Sequence, residues 1–404
     1  MQSTLSRRLG ILAAGVFTML FAGIIYAWSI LKVPFAEEFS FTPSSLALNF
    51  TLTMSFFCIG GFLSSQLVRK IGTRLTILLS GMLAGLGFIL SPIVGTTSPF
   101  ALYVTYAFLS GLGIGMAYIC IISTVNAWFP DRKGLSSGML MMGFGASTLI
   151  LGKVVDALFA SDLGFRNTYI AVGIAIGLVL SLSSLVIKAP TPDTPLPEMK
   201  KKGGAKAESF EARDYSPSEM IRRFTFWRAF FALVCLTAVG SSVISFARDL
   251  AISVGAGASL ATTLVGVLSI CNGLGRIITG AVFDAMGRKF TMIAASALTV
   301  FAAATTLFAV GIGSLPLGIV GLCLTGMSYG TSPTISSAFV AAFYGKKHFA
   351  ANLSISNFNL MVASFIATAC SALFTSSGGY TAPFILLLSL SSVALVLNFS
   401  IKKP

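Results

Sequence analysis

Charged and titratable side chains are scarce in this chain. Of 404 residues, 10% are Asp, Glu, Lys or Arg, and His348, in a polar loop where it reads as simply solvated, is the single histidine. So few ionic groups cannot hydrate the surface of a water-soluble globule, and the 55% hydrophobic content with a mean hydropathy of +0.90 points the same way. The six cysteines (Cys58, Cys120, Cys235, Cys271, Cys323, Cys370) all fall inside apolar runs and never in a CxxC pair. That excludes a disulfide framework and offers no metal site. Within the apolar runs there is no His, Asp or Glu constellation and no Ser–His pair of the kind an intramembrane enzyme needs. No GxxxxGK stretch exists to drive transport with ATP, and GLGIG at Gly111–Gly115 follows an apolar run rather than a strand. No cofactor is expected.

What fills the chain instead is a series of apolar stretches of about 20 residues or more, each long enough to cross a hydrocarbon core about 30 Å thick as a helix. Twelve such spans lie at roughly 9 to 33, 46 to 68, 75 to 95, 100 to 128, 134 to 159, 167 to 188, 226 to 250, 259 to 283, 290 to 312, 315 to 343, 351 to 374 and 379 to 401. The expected fold class is an all-α membrane protein with twelve transmembrane helices. The first run has full span length and eleven follow it, so it reads as span 1 rather than a cleaved leader.

The net charge of +14 does not call for a nucleic-acid partner, because the basic residues follow a topological pattern. All 27 Lys and Arg except Lys32, Lys153, Arg166, Arg248 and Arg276 fall in alternate loops or at the two termini. By the positive-inside rule both termini are cytoplasmic, and a multi-pass protein of the plasma or inner membrane is expected.

The one long polar segment, between spans 6 and 7, is rich in Pro, then Lys and Gly, then mixed charge. It reads as a cytoplasmic linker at 189–225 joining an N-terminal six-helix bundle (1–188) to a C-terminal one (226–404). Its end, Ser216-Pro217-Ser218-Glu219, has the form of a capping box with Pro at the first helical position, announcing a short surface helix. The two halves also repeat each other at an offset of about 215 residues: RKIGTRLT (Arg69–Thr76) overlays DAMGRKFT (Asp284–Thr291), and AWFPDRKGLSSG (Ala127–Gly138) overlays AAFYGKKHFAAN (Ala341–Asn352). Duplicated bundles around a midplane site are a common plan of secondary transporters.

At this point the residues resemble the major facilitator superfamily. GAVFDAMGRK (Gly280–Lys289) fits that superfamily's loop signature G-x-x-x-D-x-x-G-R-K, while its counterpart in the first half has Arg69 where Asp would stand. The resemblance implies two pseudo-symmetric six-helix bundles, with Gly280, Asp284 and Arg288 in a conformational latch. More narrowly, IYAWSILKVPF in span 1, NAWFPDRKGLSSG between spans 4 and 5, and RRFTFWRAFF at span 7 are similar to the oxalate/formate antiporter family. In that family an Arg of span 8 binds a carboxylate, and Arg276 in CNGLGR occupies the matching place. Tyr118, Tyr329, Tyr26 and Trp28 match its aromatic site residues. The oxalate-carrying branch has a second cation, a Lys in span 11; here that position is Leu360, beside Asn357 and Asn359. The resemblance is therefore closer to the monocarboxylate-carrying members.

The residues support the same site on physical grounds. Arg276 precedes Asp284 by eight residues, about 12 Å along a helix, hence near the bilayer centre. Holding a guanidinium there costs at least about 2.5 to 3.5 kcal/mol, and Arg cannot shed its proton. The anions inside spans are few: Asp156 has Lys153 three residues before it and reads as a structural or outer-gate ion pair, and Asp249 adjoins Arg248. A substrate carboxylate is the economical partner of Arg276, set against a structural Arg bonded to helix carbonyls or water. Asn272, one turn earlier, is positioned to orient the guanidinium or to act only as interhelical glue. The animal-type monocarboxylate carriers have a proton-carrying Asp at that place, and Asn cannot titrate. The tyrosines are packing residues in the bland reading and carboxylate donors in the functional one. Lys32 either draws anions into the outer vestibule or anchors its helix.

The expectation is thus a secondary transporter that moves a small monocarboxylate of the lactate, pyruvate or formate type by alternating access, through anion exchange or proton coupling. Its partners are that anion and the lipid bilayer, and the chain is expected to function as a monomer. A dicarboxylate exchanger is the alternative, and a non-transporting carboxylate sensor a remote one. A reporter active only in the cytoplasm should work when fused after Lys403 and fail when inserted after Asp162, in the loop between spans 5 and 6; the reverse result would invert the topology.

Overall fold

A backbone that crosses hydrocarbon has to satisfy its own N–H and C=O groups, which favours uninterrupted helices. A computed structural model of the chain describes residues 2–130, 133–191, 194, 213–345 and 347–401, apart from the side chains of 2–5, 133–135, 284 and 350, and no strand occurs among them. Ten helical stretches have the length and apolarity to cross a membrane. One of these, Pro43–Leu90, turns at Gly72 and supplies both spans 2 and 3. The 30-residue helix Leu315–Tyr344, diluted by Gly, Ser and Thr, completes the twelve as span 10.

The internal repeat is visible in the backbone. Gly72 has φ +79° and ψ 166°, and Gly287, at the matching position between spans 8 and 9, has φ +76° and ψ 176°. Positive φ at these two sharp turns is where glycine carries no Cβ penalty. The following helix is tied to each turn in the same way: Thr76 Oγ1 donates to the Gly72 carbonyl at 2.8 Å, and Thr291 Oγ1 to that of Gly287 at 2.7 Å.

Besides span 7, which kinks at Phe246 (φ −131°, ψ 20°), three spans depart from regular α-helix. Span 1 runs as Gln2–Ala22, tightens into a 3-10 turn at Gly23–Ala27 and resumes at Trp28–Leu31. Span 4 contains a π-helical segment, Tyr103–Ser110. Span 11 is divided at Asn357 into Phe349–Ser356 and Phe358–Ser377. Irregular backbone at membrane depth persists where protein surrounds it or where it lines a cavity; the Gly23–Ala27 turn is fully buried and Asn357 faces a cavity.

Close glycine packing fixes span 8 against span 10. A methyl group added at Gly275 would run into the Met327 carbonyl, one at Gly326 into the Leu268 carbonyl, and one at Gly330 into the Asn272 carbonyl. Small residues let helix backbones approach this closely. As a result Gly330 lies directly beneath Asn272 and Arg276 of span 8.

At the end away from the basic loops, the halves are joined by polar contacts. Lys32 Nζ of span 1 donates to Asp249 Oδ2 of span 7 at 2.6 Å and to the Ser245 carbonyl at 3.3 Å. Thr262 Oγ1 of span 8 donates to Asp156 Oδ2 of span 5 at 2.9 Å, and Thr51 Oγ1 of span 2 to the Ser364 carbonyl of span 11 at 2.5 Å. These contacts correct two expectations. Asp249 pairs with Lys32 across the halves rather than with its neighbour Arg248. Lys153 and Asp156 form no ion pair, because Lys153 points outward and is exposed while Asp156 turns toward span 8.

On the opposite end, the surface helix Pro217–Ile221 begins with the expected capping box: the Ser216 N–H donates to Glu219 Oε2 at 2.8 Å, and Ser216 Oγ accepts from the Glu219 N–H at 3.4 Å. The Ser216 backbone and hydroxyl hold the Glu219 carboxyl below the usual carboxylate range. Just before it, the Tyr215 N–H donates to the Tyr344 carbonyl at 3.0 Å and its carbonyl accepts from Asn352 Nδ2 at 2.9 Å. The linker thereby leads into span 7 clipped to spans 10 and 11. Most of the linker, 192–193 and 195–212, lies outside the described residues, as does the side chain of the expected latch residue Asp284. Arg288 places its guanidinium over the Phe343 ring at 4.6 Å, and a Cβ at Gly280 would meet only Thr334 Cγ2, at 3.9 Å.

This packing predicts a contrast between two glycines of the same helix pair. Gly330→Ala should destabilise the protein by about 1–3 kcal/mol through overpacking, whereas Gly280→Ala should leave its melting temperature in detergent nearly unchanged. Equal melting temperatures for the two variants would contradict the assigned approach of spans 8 and 10.

Candidate functional site

Arg276 is 6% exposed in span 8, packed against Gly330 and flanked by side chains of both halves. Its Nε donates to Asn272 Oδ1 one helical turn away at 3.3 Å, and its Nη1 donates to the Tyr118 hydroxyl of span 4 at 3.2 Å. Asn272 is itself buried, at 1% exposure, so it orients the guanidinium from behind. Among the described residues no carboxylate pairs with Arg276. A guanidinium carries N–H donors in a planar fork and accepts nothing, so this cation presents unused donors to the space in front of it.

That space is a cavity of about 60 Å³ where Tyr26, Tyr118, Arg276 and Tyr329 meet, and it extends along Phe62, Ser354 and Asn357 toward the end carrying the basic loops. A water needs about 10–15 Å³ of such space, so the cavity is large enough to admit a small ligand. Aromatic rings confine it. The hydroxyls of Tyr26 and Tyr329 lie 3.4 Å apart across the halves, and Phe144 sits edge-on to both Tyr26 and Tyr118, with ring centroids at 5.0 and 5.2 Å. Tyr26 reaches the cavity from the 3-10 turn of span 1.

The pseudo-symmetry is broken at this point. Gly61, the first-half counterpart of Arg276, lines the same cavity from span 2. Where one half supplies a long cationic side chain, the other supplies none, and the Ile119 side chain packs where a Cβ of Gly61 would stand. Leu360 and Asn359 also line it, from span 11. Asn359 is held at both ends: Nδ2 donates to the Ser356 carbonyl at 2.6 Å, and Oδ1 accepts from Thr237 Oγ1 at 3.0 Å.

Arg276, Tyr118, Tyr329, Tyr26 and Asn359 are thus brought together, with Asn272 behind them. Trp28 is not. It is fully buried, donates from Nε1 to the Leu46 carbonyl at 3.0 Å and packs on Tyr106 at 4.7 Å between centroids. Positions two apart in a helix point to opposite sides, so Tyr26 and Trp28 cannot share a pocket. Lys153, Asp156, Gly280 and Arg288 do not line the cavity either. Three hydroxyl residues not singled out from the sequence, Thr237, Ser332 and Ser354, do line it; serines and threonines are frequent in these spans and many bond back to their own helix, so nothing in the sequence marked these three.

Comparison with known proteins places this architecture. The MFS-type transporter YhjX of Escherichia coli is 26% identical over 347 residues, covering 84% of this chain and 81% of its own. The oxalate:formate antiporter of Oxalobacter formigenes is 24% identical over 331 residues, covering 81% and 76%. Monocarboxylate transporter 14 of Mus musculus is 27% identical over a shorter stretch, 43% of this chain and 33% of its own. Among solved structures, the xylose transporter XylE from E. coli, in a partially occluded inward open conformation, superposes with a TM-score of 0.69 at 13% identity, covering 98% of both chains. The nucleoside transporter NupG superposes at 0.71 with 12% identity, covering 98% of this chain and 99% of its own. At those identities the likeness speaks for the fold alone. The Major Facilitator Superfamily profile matches residues 11–248 and 229–404, and the chain belongs to that superfamily of membrane transporters.

Proposed function

We propose that this transporter carries small monocarboxylates by alternating access. The observation that supports this most is Arg276: a permanent cation, buried between the halves, with free donors toward a small cavity and no carboxylate paired with it among the described residues. A ligand carboxylate satisfies the fork bidentately and cancels the charge whose burial is costly. Tyr118, already bonded to Arg276 from the other half, adds a donor beside it.

A carboxylate seated there touches groups of both halves, so binding biases how the halves meet, which is the coupling that alternating access needs. The cross-half contacts close the end away from the basic loops, while the cavity runs toward the loop end. With both termini in the cytoplasm, this arrangement is inward-facing. Asn272 behind the guanidinium cannot carry a proton, so a proton-coupled cycle would take up its proton elsewhere. Exchange of one anion for another needs no such group.

A dicarboxylate exchanger is the second reading, favoured by the similarity to the oxalate:formate antiporter. Charge counting opposes it. Leu360 lines the cavity at the place where a second cation would be wanted, so the far end of a dianion would lie unpaired against an apolar side chain.

Uptake of labelled lactate, pyruvate, formate, acetate and oxalate by proteoliposomes, with and without a proton gradient, tests the reading. Monocarboxylate uptake should saturate, and oxalate should bind at least about 10-fold more weakly. Arg276→Ala should lower monocarboxylate binding by about 100-fold or more, and Arg276→Lys should not restore it, since an ammonium cannot reproduce the planar fork. Normal uptake by Arg276→Ala would remove Arg276 from the site. Oxalate bound as tightly as lactate would overturn the single-charge argument.

A further inference from the structure

The cavity has a second polar wall, on the C-terminal half, whose protons can be traced. Asn359 Nδ2 contacts the Ser356 carbonyl at 2.6 Å. A backbone carbonyl only accepts, so this contact fixes the amide orientation and turns Oδ1 toward Thr237. Oδ1 also only accepts, so the single Thr237 hydroxyl proton is spent on it, at 3.0 Å. Thr237 Oγ1 and Ser332 Oγ are 2.6 Å apart. With the threonine proton already committed, the proton between these two oxygens belongs to Ser332. The chain therefore runs in one direction, from Ser332 to Thr237 to Asn359.

The consequence falls on Ser332, which lines the cavity together with Arg276 and makes no further hydrogen bond among the described residues. Its proton points away into the wall, and only lone pairs are left for a ligand. Tyr329, three residues earlier on the same helix face, also lines the cavity, and Pro333 has no N–H to give to the Tyr329 carbonyl one turn back. This wall thus offers Ser332 Oγ as an acceptor, whereas Arg276 with Tyr118 supplies donors to the same cavity.

Resting on the monocarboxylate reading above, we propose that Ser332, with its proton direction set by Thr237 and Asn359, selects substrates that carry a hydroxyl donor near the carboxylate, making 2-hydroxy monocarboxylates the preferred class. The carboxylate of such an acid meets the Arg276 fork, and its hydroxyl donates to Ser332 Oγ. The corresponding 2-oxo acid presents a carbonyl oxygen there, lone pair against lone pair, and an unsubstituted acid leaves the buried acceptor without a partner. An unmet buried acceptor costs enough to separate ligands by about 10-fold or more. Ser332 and Thr237 are here specificity-determining and positioning residues; the binding charge remains that of Arg276.

The test is equilibrium binding of lactate, pyruvate and propionate to the purified full-length protein and to Thr237→Val and Ser332→Ala. These three acids share a carbon skeleton and differ in having a hydroxyl, a keto group or neither. The intact protein should bind lactate about 10-fold or more tighter than pyruvate or propionate. Thr237→Val keeps the shape but takes away the acceptor of the Ser332 proton. Ser332 is then free to donate, and the lactate-to-pyruvate ratio should fall toward one chiefly because pyruvate binds more tightly. Ser332→Ala should bring lactate close to propionate. A purely structural role would weaken all three acids together and leave their ratios unchanged, and that result, or equal binding of lactate and pyruvate by the intact protein, would overturn the proposal. If none of the three acids binds, the monocarboxylate reading itself fails; if all bind with equal strength, only the selectivity inference fails.

Discussion

A guanidinium buried between the two halves, with no carboxylate paired to it among the described residues, sets the terms for the rest of this molecule. Burying it costs at least about 2.5 to 3.5 kcal/mol, and proton loss offers no escape. The surroundings reduce that cost only in part. Asn272 and Tyr118 accept from two of its nitrogens, and the glycine contacts between spans 8 and 10 keep its backbone from shifting. The remaining donors face a small space with aromatic walls. The fold therefore carries a standing preference for an anion at one point, and because Tyr118 and Arg276 come from different halves, that preference is also a preference for how the halves are arranged.

The internal duplication shows where function departs from architecture. The turns at Gly72 and Gly287 share backbone angles and the same threonine hydrogen bond, so the scaffold is repeated closely. At the centre the repeat is abandoned: Gly61 holds the place in the first half that Arg276 holds in the second. One cation in the cavity suits a single carboxylate, and the proton chain from Ser332 to Asn359 gives another wall of that cavity a chemical character of its own. The ion pair of Lys32 with Asp249 lies at the end away from the basic loops, where it holds the halves together in this conformation.

Much of this was legible in the sequence because it rests on hydrophobic length and charge placement, which act over whole helices. Twelve spans and the capping box at Ser216 follow from such patterns. What could not be read depends on rotation about helix axes and on contacts between distant segments. The two-residue spacing keeps Tyr26 and Trp28 on different sides of span 1, but which of them faces the cavity depends on how the helix is rotated. Lys153 and Asp156 share helical spacing, yet one points outward and the other finds Thr262 across the halves. Asp249 has a basic neighbour in sequence but a partner 217 residues away. Thr237 and Ser332 carry no distinguishing mark among many serines and threonines until tertiary structure puts them beside Asn359.

The central claim is that a ligand carboxylate completes the coordination of Arg276, and the most direct measurement is an experimental structure of the protein with a bound monocarboxylate such as lactate. The account predicts both carboxylate oxygens within about 2.7–3.1 Å of the Arg276 guanidinium nitrogens, with the Tyr118 hydroxyl alongside. A carboxylate found elsewhere, for example on Lys32, with Arg276 still bonded only to Asn272 and Tyr118, would contradict it.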